Sequence, residues 1–200
     1  MKGSIIIIGF FILGTIFGYY HVLPFDLAQT KLSFYTLLVL ILTVGIAIGS
    51  DKNIKKTFKA LNPRVLLLPL CTIIGTLAGV AFISLLIPGR SVSDCMAVGS
   101  GFAYYSLSSI IITDFKGPEL GTIALMANIM REIFTLLCAP LLAKWFGSFA
   151  PISSGGATTM DTTLPIITSV SGKEYAVVSI YHGFLMDFSV PFLVTLFCSI

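Results

Sequence analysis

Stretches of mostly apolar residues recur along the chain at 4–22, 33–50, 65–87, 94–113, 121–145, 148–170 and 175–199. Each is near the length of about 20 residues that a helix needs to cross a bilayer. The pattern predicts seven helical spans in a single transmembrane domain covering residues 1–200. The first three spans and the last are uninterrupted. The fourth and sixth carry Gly, Ser, Thr and Pro where a lipid-facing helix carries branched aliphatics, and these two are expected to be discontinuous.

Composition agrees with this reading. Hydrophobic residues make up 56% of the chain and charged residues 10%, with a mean hydropathy of +1.00. A soluble domain has about 25% charged residues to coat its surface, so the expected class is an all-α integral membrane protein that contacts the lipid bilayer. The net charge of +3 is too small and dispersed for a nucleic-acid surface. Lys2 and the apolar run behind it imitate a secretory signal. No Ala-x-Ala site follows, so an uncleaved first span is expected.

Charge also sets an orientation. Lys52, Lys55, Lys56, Lys59 and Arg64 lie in one loop and are five of the twelve basic residues. The positive-inside rule places that loop in the cytoplasm. With seven crossings the N-terminus is cytoplasmic and the C-terminus external. The loop itself is expected to be a solvated turn with no partner. Gly14/Gly18, Gly45/Gly49 and Gly75/Gly79 are spaced so that two helix backbones can approach closely, which predicts tight packing. Cys71, Cys95, Cys138 and Cys198 are far apart and form no metal or disulfide pattern; they read as small core residues.

The two broken stretches hold the candidate chemistry. Irregular backbone survives at membrane depth only when buried in protein or lining a wet cavity. In 98–113 the sequence VGSGFAYYSLSSIIIT offers Ser100, Tyr105 and Ser106 to a solute, alongside freed carbonyls. The alternative is that its serines bond back to their own helix. In 147–165, Gly147, Gly155, Gly156, Pro151 and Pro165 punctuate a run that includes Thr158, Thr159, Asp161 and Thr162. Half-helices meeting in an unwound stretch use such a composition to hold ions and substrates. A carboxylate deep in a bilayer costs about 3 kcal/mol, so Asp161 is expected to bind a proton, a sodium ion or a cationic substrate. The alternative for Asp161 is a helix cap at the interface.

The fifth span adds Asn128, Arg131 and Glu132 on one helix face. That face must point into the bundle, with Arg131 and Glu132 either functional or a neutralised structural pair. His182 and Asp187 in the last span lie about 140° apart on a helix. His182 is a candidate proton carrier or a buried histidine satisfied by a neighbour, and Asp187 is left open.

At these residues the chain resembles the LysO family of bacterial lysine exporters. The matching stretches are SGFAYYSLS at 100–108, the Asn-x-x-Arg-Glu face at Asn128, Arg131 and Glu132, GGATTMDTTLP at 155–165, and YHGFLM at 181–186. The likeness covers most of the chain, most strongly from Ala97 onward. It implies export of L-lysine or a similar cationic amino acid across the bacterial inner membrane, by exchange with protons or another cation. It also implies an inverted-repeat transporter bundle with crossed broken helices, and an essential carboxylate at the position of Asp161. The family's members are longer by about three helices ahead of the matched part, and a second essential carboxylate belongs there. Either a separate small membrane subunit is expected to supply those helices, or the chain works as a minimal form or with a homodimer partner.

No enzyme activity, metal or cofactor is expected beyond a coupling H+ or Na+. Two other classes remain open at this point. One is a non-transporting subunit of a two-component transporter. The other is an intramembrane serine hydrolase using Ser154 and His182, although no GxSG motif is present.

Overall fold

Large apolar side chains cover much of the outside of this structure, and a set of polar side chains is buried within it beside the hydrophobic core. The computed structural model describes residues 12–14, 16–18, 20, 39, 42, 46, 63–87 and 89–200. The chain divides into two compact units, Met1–Lys52 and Asn53–Ile200. In the first, positions 12–14 and 16–18 are helical, and Ile12, Leu13, Ile16 and Phe17 are exposed. The predicted spans 4–22 and 33–50 fall mainly outside the described residues. The basic side chains of 52–64 and the Gly45/Gly49 pair fall wholly outside them.

The second unit contains α1 (Leu68–Ser84), α2 (Val92–Gly99), α3 (Tyr105–Lys116), α4 (Pro118–Phe146), α5 (Ala150–Gly155), α6 (Leu164–Ser171) and α7 (Ala176–Cys198). Single 3-10 turns occupy Pro63–Leu67, Gly156–Met160 and Lys173–Tyr175. Among the described residues, three segments are long and apolar enough to cross a membrane: Val65–Ser84, Pro118–Phe146 and Lys173–Cys198. On α7, Ile180, Phe184, Phe188, Phe192 and Leu196 are exposed, while His182, Met186, Val190, Val194 and Cys198 are buried. Thr72, Ser100, Ser108, Asn128, Thr135, Thr159, Thr163 and Ser179 are also buried. Water would drive the opposite sorting, whereas lipid permits an apolar exterior and demands that polar groups pair inside. This makes the protein an all-α membrane protein.

The fourth and sixth predicted spans do not cross. Helix α2 has 8 residues and α3 has 12, so they rise about 12 and 18 Å, and neither reaches across a hydrocarbon core of about 30 Å. They turn back on each other. Arg90 beside Glu119 and Val98 beside Asn128 show α2 running inward along α4. Lys116 then returns to Asp94, with Nζ 3.4 Å from Oδ1. Helices α5 and α6 do the same from the other end of α4, where the Ser171 hydroxyl donates to the Ser148 carbonyl at 2.9 Å. The stretches 94–113 and 148–170, each expected as one discontinuous span, thus fold as re-entrant hairpins that open at opposite ends of the 29-residue α4. Composition flagged the breaks, but a break with a continuing helix and a break with a returning one look alike along a sequence.

The hairpin tips touch. The Ala157 amide donates to the Phe102 carbonyl at 2.9 Å. Gly156 makes this approach feasible: its φ is +61°, and a Cβ there would lie 2.2 Å from the Phe102 oxygen. Phe102 and Ala103 have φ of 43° and 71°, a conformation that non-glycine residues adopt only under constraint. The glycine pair in α1 behaves otherwise. A Cβ on Gly75 or Gly79 would meet nothing within 4 Å, and the same holds for Gly14 and Gly18. Close packing at these two pairs, expected from their spacing, is absent among the described residues. The cysteines also divide, with Cys198 buried and Cys71 exposed; only the former fits the core reading.

Candidate functional site

Helix α4 anchors both hairpin tips from one face. Asn128 Oδ1 accepts from the Ala103 amide at 2.8 Å, and its Nδ2 donates to the carbonyls of Val98 at 3.1 Å and Ala124 at 2.9 Å. The side chain replaces helical hydrogen bonds that the break between α2 and α3 removes. One turn on, Arg131 Nε donates to the Ser154 carbonyl at 2.9 Å and Nη2 to the Ser153 carbonyl at 3.1 Å. These are carbonyls of the last turn of α5, where the orphan C=O groups attract a cation. Arg131 also lies over the Phe102 ring, 5.7 Å from its centroid. The neutralised Arg131–Glu132 pair weighed from the sequence is not formed. Adjacent helical residues project about 100° apart, and Arg131 is in no ion pair among the described residues.

The turn before Asp161 is held from a third side by α7. Thr159 Oγ1 lies 2.8 and 2.9 Å from the carbonyls of Gly156 and Ser179 and 3.2 Å from His182 Nδ1. The Ser179 hydroxyl donates to the Thr159 carbonyl at 2.9 Å. Thr159 has one proton, and two carbonyls compete for it, so His182 Nδ1 carries a proton and donates to Thr159. His182 Nε2 is then the acceptor for the Thr72 hydroxyl, 3.0 Å away. Gly183 lets the helix come this close, because a Cβ there would lie 2.6 Å from the Met160 backbone nitrogen. His182 is fully buried and satisfied by two threonines, which agrees with the plainer of its two sequence readings.

Three carboxylates collect around this frame. Glu132 stands at the middle of the 29-residue α4 and Asp187 at the middle of the 23-residue α7. Asp161 follows the 3-10 turn at the tip of the second hairpin. Glu132 and Asp161 lie within electrostatic reach of each other and of the Tyr105 hydroxyl, and Asp187 within reach of Asp161. Asp161 Oδ1 accepts from the Thr162 amide, which is a local cap of the kind weighed from the sequence, but at the junction of the hairpins. The Thr162 hydroxyl is buried beside Glu132 and Asp161 without hydrogen-bonding geometry to either. The two ion pairs among the described residues, Arg90–Glu119 and Lys116–Asp94, involve none of the three carboxylates.

The remaining sequence candidates separate. Ser100 and Ser108 donate to the carbonyls of Met96 at 2.6 Å and Tyr104 at 2.8 Å, the back-bonding weighed as their alternative. Ser106 is exposed. Thr158 donates to the Gly155 carbonyl at 2.8 Å and shapes the tip. The structure therefore brings together Tyr105, Glu132, Asp161 and Thr162, and adds Asp187. That last residue carried a legible signal, an acidic group within an apolar span, but its 140° separation from His182 hid the shared neighbourhood. Ser154 Oγ lies 2.7 Å from Thr135 Oγ1, and His182 faces threonines, so the serine and histidine of a hydrolase do not meet. No group of three or more His, Cys, Asp or Glu able to hold a metal ion occurs among the described residues.

The arrangement suits a mobile cation. Unpaired carboxylates at mid-depth are costly, and a proton, an alkali cation or an ammonium group offsets that cost.

Comparison with known proteins gives the same direction. A family model described as lysine exporter LysO matches residues 8–198. The Escherichia coli (strain K12) protein named lysine exporter LysO is 32% identical over 168 residues, which is 84% of this chain and 55% of that protein. A Haemophilus influenzae protein named provisionally as a lysine exporter is 34% identical over 165 residues, 82% of this chain and 83% of its own. The chain thus spans little more than half the length of the Escherichia coli relative. No solved structure matches it.

Proposed function

The chain belongs to the lysine exporter LysO family, and from that premise we propose that it exports L-lysine or a similar cationic amino acid in exchange for protons or sodium ions. The observation that carries the reading is a set of carboxylates with no ion-pair partner among the described residues: Asp161 at the junction of two re-entrant hairpins, Glu132 in the middle of α4 and Asp187 in the middle of α7. A cationic amino acid brings ammonium groups to such a site, and a proton or sodium ion neutralises the same carboxylates on the return step. Competition for one set of charges couples the two fluxes without a further device.

The hairpin α2–α3 followed by α4, and the hairpin α5–α6 followed by α7, start from opposite ends of the bundle. We read them as an inverted repeat whose rocking exposes the carboxylates alternately to the two sides, as midplane sites in transporters allow. The basic loop before α1 is placed in the cytoplasm of a bacterial cell and the C-terminus outside. Replacing two crossings by two hairpins leaves that parity unchanged. A further small membrane subunit or a second copy of the chain is proposed to complete the assembly.

The test is Asp161→Asn in proteoliposomes loaded with labelled lysine. Loss of one charge from the cation site is expected to lower lysine flux at least about tenfold. Flux equal to that of the unaltered protein would remove Asp161 from the mechanism.

A further inference from the structure

Between α1, α2 and α4 lies a cavity of about 530 Å3 whose lining includes Thr76, Val80, Val98, Ile123, Ala127 and Arg131. Its volume falls within the range of small-molecule sites, about 300–1,000 Å3, and its mostly apolar wall with a few polar groups is their usual chemistry. The polar groups here are specific. Arg131 commits Nε and Nη2 to the carbonyls of Ser153 and Ser154, while Nη1 makes no hydrogen bond among the described residues. Thr76 Oγ1 accepts from Arg131 Nη2 at 3.4 Å, and its own proton goes to no described group. Asn128 is also in the wall, but both its Nδ2 bonds and its Oδ1 are committed to backbone. Arg90, at another part of the lining, is paired with Glu119. Among the described residues these lining groups therefore leave two donors uncommitted, one of them on a permanent cation, and no free acceptor.

A charged guanidinium with no carboxylate partner among the described residues, on a residue that lines a cavity together with Thr76, is complementary to a carboxylate. The position of Arg131 makes the match more specific. It is next to Glu132 on α4, about 100° around the helix, so a cationic group and the carboxylate cluster stand at one depth on different sides of the same helix. A basic amino acid carries that pattern of charges: one carboxylate and two ammonium groups. We propose that this cavity holds the α-carboxylate of the transported amino acid on Arg131 Nη1 and the Thr76 hydroxyl. Arg131 is then the group that separates amino acids from simple diamines, which the acidic residues alone would accept. This assignment rests on the export reading above.

The experiment compares lysine with cadaverine, which keeps both ammonium groups and lacks the carboxylate. Full-length protein in proteoliposomes gives the lysine KM and the cadaverine Ki against lysine flux, for the unaltered chain, Arg131→Lys and Thr76→Val. Both substitutions are expected to raise the lysine KM about tenfold or more and leave the cadaverine Ki within about twofold, so the preference for lysine collapses. Thr76→Val is near-isosteric and gives a readout even where Arg131→Lys disturbs the α5 carbonyls. Equal changes for both compounds, or no change for either, overturn the proposal, because a group that only ties α5 in place does not sense a carboxylate. Absence of lysine flux in the unaltered protein, both alone and co-expressed with the subunit that completes the assembly, overturns the export reading and this proposal with it. That result is distinct from intact flux with an unaltered preference, which overturns the proposal alone.

Discussion

Replacing Asn128 by Leu removes the side chain that holds the first hairpin tip, at nearly constant volume. The Ala103 amide is buried and has Asn128 Oδ1 as its partner. Its loss leaves an orphan donor, which costs about 1–3 kcal/mol. The Val98 carbonyl keeps the Gly101 amide at 3.2 Å, so losing Nδ2 there costs only the net worth of a hydrogen bond, about 1 kcal/mol. The Ala124 carbonyl sits in the uninterrupted part of α4 and contributes less. The expected total is about 2–4 kcal/mol, measured by SDS titration in mixed micelles with circular dichroism as the readout. Ser106→Ala, at an exposed position of the same hairpin, is expected to stay within about 0.5 kcal/mol of the original. In the Asn128→Leu background, Ala103→Gly should recover part of the loss, because glycine accepts the φ of 71° without steric cost. An Asn128→Leu protein as stable as its parent would refute the clamp.

Other outcomes follow from the same geometry. Gly183→Ala places a Cβ against the Met160 backbone and is expected to cost about 1–3 kcal/mol. Gly75→Ala and Gly79→Ala place theirs where no described residue lies within 4 Å and should gain up to about 1 kcal/mol each. The same unfolding titration reads all three, and a loss at either α1 glycine contradicts the open face. Asp187→Asn is expected to reduce lysine flux at least about tenfold with an unchanged circular dichroism spectrum; full flux would exclude Asp187 from the cation site.

Hydropathy and length alone determined that the protein is helical and lies in the membrane, because both follow from how many apolar residues stand in a row. They also located the two places where a plain span fails, since Ser100, Gly101, Gly155, Gly156 and Pro165 are poor choices against lipid whatever surrounds them. Asp161 and Glu132 stood out for the same local reason, the cost of a carboxylate among apolar residues. Other features depend on contacts between residues far apart in the chain. Reversal at each break follows from where the next helix packs, and Lys116 returning to Asp94 or Ser171 to Ser148 has no local signature. Asn128, Arg131 and His182 looked like site residues because they are polar and buried. Only their partners, up to 30 residues away for Asn128, 22 to 55 for Arg131 and as far as 110 for His182, assign most of their hydrogen bonds to the framework. Asp187 is the reverse case, an acidic residue with no motif around it until the fold brings it within electrostatic reach of Asp161. A bilayer leaves a polar group to find its partner inside the protein, and that partner is fixed by tertiary packing rather than by its neighbours in sequence.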